Sequence, residues 1–413
     1  MRLDFYFDVV CPYAFLASTR IEKLARDTGA ELVWNPILLG GLYKHINSYQ
    51  ADSGVPARSW PANKIAIGAR DLLHSAQHLG VTLNPPKEHP RRTVEAMRLI
   101  VGSPRDKQVA LAKALFRAYW VEQQDVSDKD VLRSIAVKHG ADPTTIDKPQ
   151  AKQALFDATE RAANQGFFGV PTMSVGDRFW WGQDRLHFVA KALGGAQSAQ
   201  QVQGSSNGTA ASEITFFHDF SSPFSYLAST QIQRIADGQG ASLTWKPILL
   251  GGLFRTIGTA DVPLFAMSES KQQAVFKDLF DWADWWGVPF RFPDHFPART
   301  ILPLRISIVE PKTIPLFYRA MWVENQNIGD PAIVEAILNA AGFDGPGLIE
   351  RTQNPTIKQA LIDNTEAAAT AGACGVPTFQ IRGPHLDKPS LFWGQDRLDM
   401  VEAVLRGWVP KTP

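Results

Sequence analysis

Short apolar and aromatic runs alternate along the chain with long stretches of helical period, and the whole order occurs twice. Leu3–Val9 and Ile214–Phe220 are apolar and aromatic, each carries an Asp near its end, and each is followed closely by a Pro. That pattern predicts a strand, a turn and a helix. The helices are expected over Pro12–Thr28 and Pro223–Gly238, with proline in the first turn, where its missing N–H costs nothing. Glu31–Pro36 and Ser242–Pro247 read as second strands. Residues 60–165 and 265–371 have helical period broken by turn signals. Gly-Val-Pro-Thr then leads into short strands at Thr172–Val175 and Phe379–Arg382, and another short strand ends at Trp181 or Trp393. A last helix follows Gly-Gln-Asp-Arg. The order β-α-β, helical block, β-β-α predicts an α/β core with an all-helical insertion, present twice in tandem.

The duplication is explicit in the letters. VWNPILLGGL (33–42) matches TWKPILLGGL (244–253), and FYFDVVCPYAFLAST (5–19) matches FFHDFSSPFSYLAST (216–230), both at an offset of 211. EHPRRTVEAMR (88–98) pairs with HFPARTILPLR (295–305), RAYWVEQQD (117–125) with RAMWVENQN (319–327), and WWGQDRL (180–186) with FWGQDRL (392–398). GVPT stands at 169–172 and 375–378. Matches this long and in this order mark a duplicated domain rather than a solenoid. Residues 194–212 read GGAQSAQQVQGSSNGTAAS, which is flexible-linker composition. The expected organisation is a first domain at 1–194, a linker at 195–212 and a second domain at 213–413.

Composition narrows the function. With 413 residues the chain exceeds what one hydrophobic core supports, which agrees with two domains. Lys plus Arg is 42 and Asp plus Glu is 41, a net charge of +1, which argues against nucleic acid or an anionic membrane as partner. Two cysteines exclude a disulfide scaffold and a cysteine-built zinc site, and the histidines show no ligand pattern shared by the two halves, so no metal is expected. No run of 18 apolar residues is present, and the first residues carry acids where a signal peptide has an apolar run; a cytoplasmic setting is expected.

The candidate chemistry sits in three motifs. Ser222 stands at a predicted helix N-terminus, where free N–H groups and the helix dipole favour an anion; a hydroxyl there could donate to a thiolate, or serve only as an N-cap. In the first copy Cys11 takes that place. A helix end lowers a thiol pKa, so Cys11 is expected to be more reactive than a free cysteine, the alternative being a buried, inert thiol. Position 14 is Ala, so no resolving cysteine is available at dithiol spacing. Gly-Val-Pro-Thr marks a candidate cis-proline loop whose backbone could pair with an extended peptide. Trp-Gly-Gln-Asp-Arg-Leu is read as opening the last helix, with Asp184 and Asp396 either capping beside an exposed Arg or accepting from an ammonium. Cys374, whose counterpart is Phe168, reads as an apolar wall, and no disulfide to Cys11 is expected. The Trp-rich stretch 281–286 reads as helix packing.

Taken together, these segments resemble the DsbA-like branch of the thioredoxin superfamily, and within it kappa-class glutathione transferases and 2-hydroxychromene-2-carboxylate isomerases. The resemblance covers essentially the whole chain, once per half. It rests on D-x-x-S-P-x-S-Y-L, P-x-L-L-G-G, a helical insert, G-V-P-T and a closing G-Q-D-R. It implies a thioredoxin-like fold, glutathione as cofactor and a small aromatic-derived substrate. By resemblance, Ser222 and Cys11 are the catalytic positions facing the glutathione thiol, beside Pro223, Phe224 and Pro12. Val376–Pro377 and Val170–Pro171 would pair main chain with glutathione. Gln395–Asp396 and Gln183–Asp184 would hold its γ-glutamyl end. Lys271 and Lys64 match a lysine that stands seven residues before a helical Asp, here Asp278 and Asp71. Asn47 matches a binding asparagine whose place in the second copy is taken by Thr259. Such proteins pair as dimers, so a fused chain is expected to be an internal pseudo-dimer.

The leading expectation is therefore a glutathione-dependent isomerase or transferase whose better site lies in the second copy. Two others stand beside it: a DsbA-like thiol-disulfide oxidoreductase using Cys11, and a duplicated binding protein without catalysis.

Overall fold

The computed structural model describes residues 1–45, 60–195, 212–259 and 263–411. Asn47 lies outside the described residues, as does the expected linker 195–212 except for its two end residues. Among the described residues no helix is long and apolar enough to cross a membrane.

In the first repeat β1 (Arg2–Phe7) leads through α1 (Pro12–Ser18) and α2 (Ile21–Thr28) to β2 (Glu31–Pro36) and α3 (Leu39–His45). The helical block follows: α4 (Ala62–His78), α5 (Val94–Gly102), α6 (Arg105–Trp120), α7 (Lys129–Lys138) and α8 (Pro149–Asn164). Then come β3 (Thr172–Val175), β4 (Arg178–Trp181) and α9 (Leu186–Ala192). The second repeat begins with β5 (Glu213–His218), α10 (Pro223–Gly238), β6 (Ser242–Pro247) and α11 (Leu250–Ile257). Its block is α12 (Glu269–Trp286), α13 (Ile301–Val309), α14 (Ile314–Trp322), α15 (Pro331–Ala340), α16 (Gly345–Arg351) and α17 (Pro355–Ala371). It closes with β7 (Thr378–Arg382), β8 (Ser390–Trp393) and α18 (Leu398–Leu405).

Each repeat builds a four-stranded sheet, in the orders β2-β1-β3-β4 and β6-β5-β7-β8. β1 and β5 pair parallel with β2 and β6, which is why a helical crossover must lie between them, and antiparallel with β3 and β7. This is the thioredoxin-like core with a helical insertion, found twice. Leu3, Phe5 and Phe7 alternate inward along β1 with no exposure. In the second repeat Ile214, Phe216, Phe379, Ile381 and Phe392 from the sheet pack with Ile232 and Ile235 of α10 and Val401 and Val404 of α18.

The first helix differs between repeats. α10 runs unbroken over Pro223–Gly238, as its sequence predicts, but the helix expected over Pro12–Thr28 divides at Thr19-Arg20. The hydroxyls of Ser18 and Thr19 bond the carbonyls three residues back, yet Ser229 and Thr230 do the same inside the unbroken helix. The difference is Arg20, at the place of Gln231. Its backbone leaves the helical region, and its guanidinium donates to the Gln183 carbonyl at 2.6 Å and to the Gln183 side chain. A charge-assisted tertiary bond has won over local helix continuation.

The described residues form two compact units that follow the repeats with one reciprocal exchange. Trp60–Asp71, which opens α4 in the first repeat, belongs to the unit built on the second; Met267–Val275, which opens α12, belongs to the unit built on the first.

Candidate functional site

The second unit's site starts at a buried carboxylate. Asp219 follows β5, and its two oxygens accept from the amides of Ser221 and Leu250, at 2.9 and 2.8 Å, and from the Thr300 hydroxyl at 2.7 Å. Those bonds end the strand at His218, short of the expected Phe220, and turn the chain into α10. Burial pushes the Asp219 carboxyl pKa up, against the hydrogen bonds that lower it. The Trp322 indole N–H fixes the turn by donating to the Phe220 carbonyl at 2.8 Å.

Ser222 caps α10. Its Oγ accepts from the Ser225 N–H at 3.1 Å and donates to the Val376 carbonyl at 3.0 Å. One hydroxyl thus caps the helix and meets the Gly-Val-Pro-Thr loop. The Val376–Pro377 bond is cis, and Thr378 Oγ1 donates back to the Gly375 carbonyl at 2.7 Å. A Cβ on Gly375 would lie 2.9 Å from the Trp393 Nε1, so the loop needs glycine because the indole of the closing motif packs on it. Gly394, at φ 107°, donates to the Pro377 carbonyl at 2.9 Å. The two motifs, remote from each other in reading, are one structure.

Gln395 and Asp396 do not open the last helix as expected; they lie in a 3-10 turn, Gln395–Arg397, ahead of α18. Gln395 is buried, and its Nε2 has no hydrogen-bond partner among the described residues. Asp396 lies 3.4 Å from the Arg397 guanidinium. Arg397 is 9% exposed, not the solvent-facing residue of the capping alternative, and it grips Asp71.

The opening of α4 supplies this side of the second unit. Asn63 donates to the carbonyls of Ala369 and Ala373, both at 3.1 Å, satisfying the C-terminal end of α17. Ile67 packs with Cys374 and Leu391. The Lys64 ammonium lies 4.3 Å from the Trp60 ring, and it opposes the burial that pushes the Cys374 thiol up to about 12. Cys374 is the buried wall its sequence suggests, and both cysteines are free. Sequence order pairs Lys271 with Ser222 and Lys64 with Cys11, whereas the units group them the other way. Lys271 lies 5.3 Å from the Trp181 ring in the first unit. Pro223 and Phe224 are half-buried at the start of α10. Tyr226 is core: it stacks with Phe290 and Trp322 and donates to the Pro289 carbonyl. Thr259 Oγ1, at the place of the asparagine, is buried with no partner among the described residues.

The first unit repeats the frame. Asp8 accepts from Val10, Leu39 and Thr93, and Trp120 donates to the Val9 carbonyl. Val170–Pro171 is cis and meets the Trp181 indole across Gly169. Cys11 precedes Pro12 but forms no side-chain cap; its Sγ donates to the Val170 carbonyl at 3.1 Å. The expectation of a lowered thiol pKa is overturned. Burial pushes the Cys11 thiol up to about 12, outweighing the amides of Ala14 and Tyr13 that lower it, and the nearby Asp8 raises it further. Gln183 is held by Arg20, and Asp184 lies 3.0 Å from Arg185.

Sequence reasoning assigned no role to Asp8, Asp219, Thr93, Thr300, His218 or Tyr318. The Asp and Thr pairs were legible as identities between the aligned repeats. His218 and Tyr318 are visible only as differences between them. Among the described residues no group of His, Cys, Asp and Glu could hold a metal ion.

The DsbA-like thioredoxin domain matches residues 2–194 and again 213–406. The 2-hydroxychromene-2-carboxylate isomerase of Pseudomonas putida is 29% identical over 198 residues, covering 47% of this chain and 95% of that protein. Glutathione S-transferase kappa 1 of Caenorhabditis elegans is 27% identical over 215 residues, covering 46% of this chain and 90% of its own. Among solved structures, a 2-hydroxychromene-2-carboxylate isomerase is 27% identical, with a TM-score of 0.41, covering 47% of this chain and 95% of its own. Both named relatives are enzymes, and each aligns with about half of the chain.

Proposed function

From the premise that the chain belongs to the DsbA-like thioredoxin domain family and carries that domain twice, we propose that it is a glutathione-dependent isomerase or transferase acting on a small aromatic-derived electrophile at the Ser222 site. The observation that carries this reading is the Ser222 hydroxyl, set at the N-terminus of a sixteen-residue helix and against the carbonyl that precedes a cis-proline. The residues fit glutathione. The buried Gln395 Nε2 is a donor awaiting an acceptor, which a ligand carboxylate would provide. Asp396, beside Arg397, would accept from an ammonium, and Lys64 adds positive charge on the same unit. Val376 offers main chain for an extended peptide. Bound glutathione would supply a thiolate nucleophile. The chain's part is to stabilise that charge: Ser222 turns its proton from the Val376 carbonyl to the sulfur, and the dipole of α10 favours a negative charge at the same helix end. The first repeat stands in for the second subunit of a dimer, and the setting is the cytoplasm.

The redox alternative needs a thiolate at Cys11, and a buried thiol with a pKa of about 12 is a poor one. The test is a glutathione titration by calorimetry, followed by chlorodinitrobenzene conjugation and hydroxychromene isomerisation assays on the native chain and on Ser222→Ala. Glutathione uptake with activity lost in Ser222→Ala supports the reading. No uptake at millimolar glutathione ends it. Uptake without either activity would favour the binding-protein alternative.

A further inference from the structure

The two Gln-Asp turns share one frame. Gly182 and Gly394 donate to the carbonyls of Pro171 and Pro377, at 3.0 and 2.9 Å, with φ of 111° and 107°. Gln183 and Gln395 then open matching 3-10 turns, and both are buried. What differs is the residue behind the glutamine. Arg20 stands in the first repeat where the second has Gln231.

Arg20 holds Gln183 at two points: its Nη2 donates to the backbone carbonyl at 2.6 Å and to the side-chain Oε1. A guanidinium has donors only, so the end of the amide that it holds is the oxygen. The amide is thereby fixed, with the NH2 as its other end. No hydrogen bond among the described residues uses that Nε2, and it is not sealed from solvent as the Gln395 Nε2 is. Gln231 does nothing of the kind. Its Nε2 donates to Thr230 Oγ1 at 3.1 Å and its Oε1 accepts from Arg234 at 3.3 Å, so its amide stays within α10 and holds neither end of the Gln395 amide. Reaching Gln183 costs the first repeat the continuity of its first helix, because the Arg20 backbone leaves the helical region at φ −120° and α1 and α2 part there. A local rule broken to fix one side chain of a ligand-facing turn points to function at that turn.

We propose that Arg20 is a positioning residue for Gln183, and that it makes the first unit a second glutathione seat, one that grips the γ-glutamyl carboxylate without activating the thiol. The proposal rests on the glutathione reading of the Gln-Asp turns. An NH2 that is already oriented spares the complex the entropy of ordering it. The guanidinium on the oxygen also polarises the amide, which makes its NH2 a stronger donor to a carboxylate. Lys271, 5.3 Å from the Trp181 ring, adds a second positive charge to this unit. Cys11 spends its S–H on the Val170 carbonyl, and a thiol donates more weakly than the hydroxyl that Ser222 offers in the second unit. One unit is thus built to hold the peptide and the other to use its sulfur.

The test is calorimetric titration of the full chain with S-methylglutathione, which has no thiol, and with its analogue carrying γ-aminobutyrate in place of the γ-glutamyl group, which lacks only the α-carboxylate. The native chain is compared with Arg20→Gln, which copies the second repeat. Arg20→Lys keeps the charge without the fork, and Gln183→Glu keeps the grip of Arg20 but puts an oxygen in place of the donor; these two carry the comparison if Arg20→Gln does not fold. The native chain is expected to take up two equivalents of S-methylglutathione. In Arg20→Gln one of the two weakens by about fivefold to tenfold, the scale of one hydrogen bond, and the loss vanishes with the decarboxylated analogue. Arg20→Lys falls between, and Gln183→Glu loses one equivalent. If the native chain takes up no ligand, the glutathione reading falls and this proposal with it. Uptake of a single equivalent that Gln183→Glu leaves in place overturns this proposal alone, and so does an Arg20→Gln chain that binds as the native one does. A loss in Arg20→Gln that is equally large with the decarboxylated analogue overturns it too, because Arg20 then only supports the fold.

Discussion

Asp71 and Arg397, separated by 326 positions in sequence, form a two-pronged ion pair in the second unit, with Nη2 at 3.0 Å from Oδ2 and Nε on Oδ1. The fork geometry ties the opening of α4 to the turn that carries Gln395 and Asp396. Arg397 is nearly buried, so removing Asp71 leaves a desolvated guanidinium with the longer Asp396 contact at 3.4 Å in place of the two-pronged pair. Asp71→Ala is expected to cost about 2–3 kcal/mol, between an exposed and a fully buried pair. Urea unfolding reads this directly, and an unchanged midpoint would show the pair to be idle.

Ser222→Ala removes two things at once. The lost cap should cost about 1 kcal/mol of stability. The lost donor should lower kcat by about a hundredfold if it faces the thiolate. Ser222→Cys restores bulk and copies the first repeat; if its activity matched that of the native chain, the hydroxyl would not be the donor.

The Cys11 thiol should react with iodoacetamide far more slowly than a free thiol at mildly alkaline pH. Burial pushes its pKa up to about 12 in the folded chain, from 9.0 for an ordinary cysteine. A thiol with a raised pKa keeps its proton longer in the folded state. Its contribution to stability is therefore complete below the unfolded pKa and is lost as pH rises toward 12. Cys374, also raised to about 12, adds in the same direction. A modification rate equal to that of a model peptide would contradict this account.

His218 works at the opposite end of the scale. Burial lowers its pKa from 6.5 to about 3, so the unfolded chain takes up the proton first as pH falls. Its stability contribution is present above 6.5 and is lost on descent toward about 3. One such group contributes a slope of about 1.4 kcal/mol per pH unit inside that window. Unfolding curves taken through the window should be flatter for His218→Phe than for the native chain. Parallel curves would place the acid sensitivity elsewhere, for example in His187, which is lowered to about 3 by burial and Arg185.

Much of this arrangement is readable in the letters, for a physical reason. Strands Glu31–Pro36, Ser242–Pro247 and Thr172–Val175 are bounded by local chemistry, so pattern alone locates them. Ser222, the cis-proline loops and the Gln-Asp turns recur in two copies, and recurrence marked them. What pattern could not reach are results of tertiary competition. Arg20 breaks a helix by binding a residue 163 positions away. The Cys11 pKa is decided by burial rather than by the helix end. Lys64 and Lys271 change units because the helical block exchanges its opening turns, which no periodicity encodes.

That exchange has an evolutionary reading. When two identical subunits trade segments, a substitution strikes both sites at once, so neither can drift without the other. Joining the copies in one chain removes that coupling. Residues 60–71 hold Ala369, Ala373, Cys374 and Arg397 of the second unit, while Cys11 and Ala14 set the first repeat's own turn apart from Ser222 and Ser225. A change at the first repeat's own turn therefore need not touch the segment of that repeat on which the second unit is built.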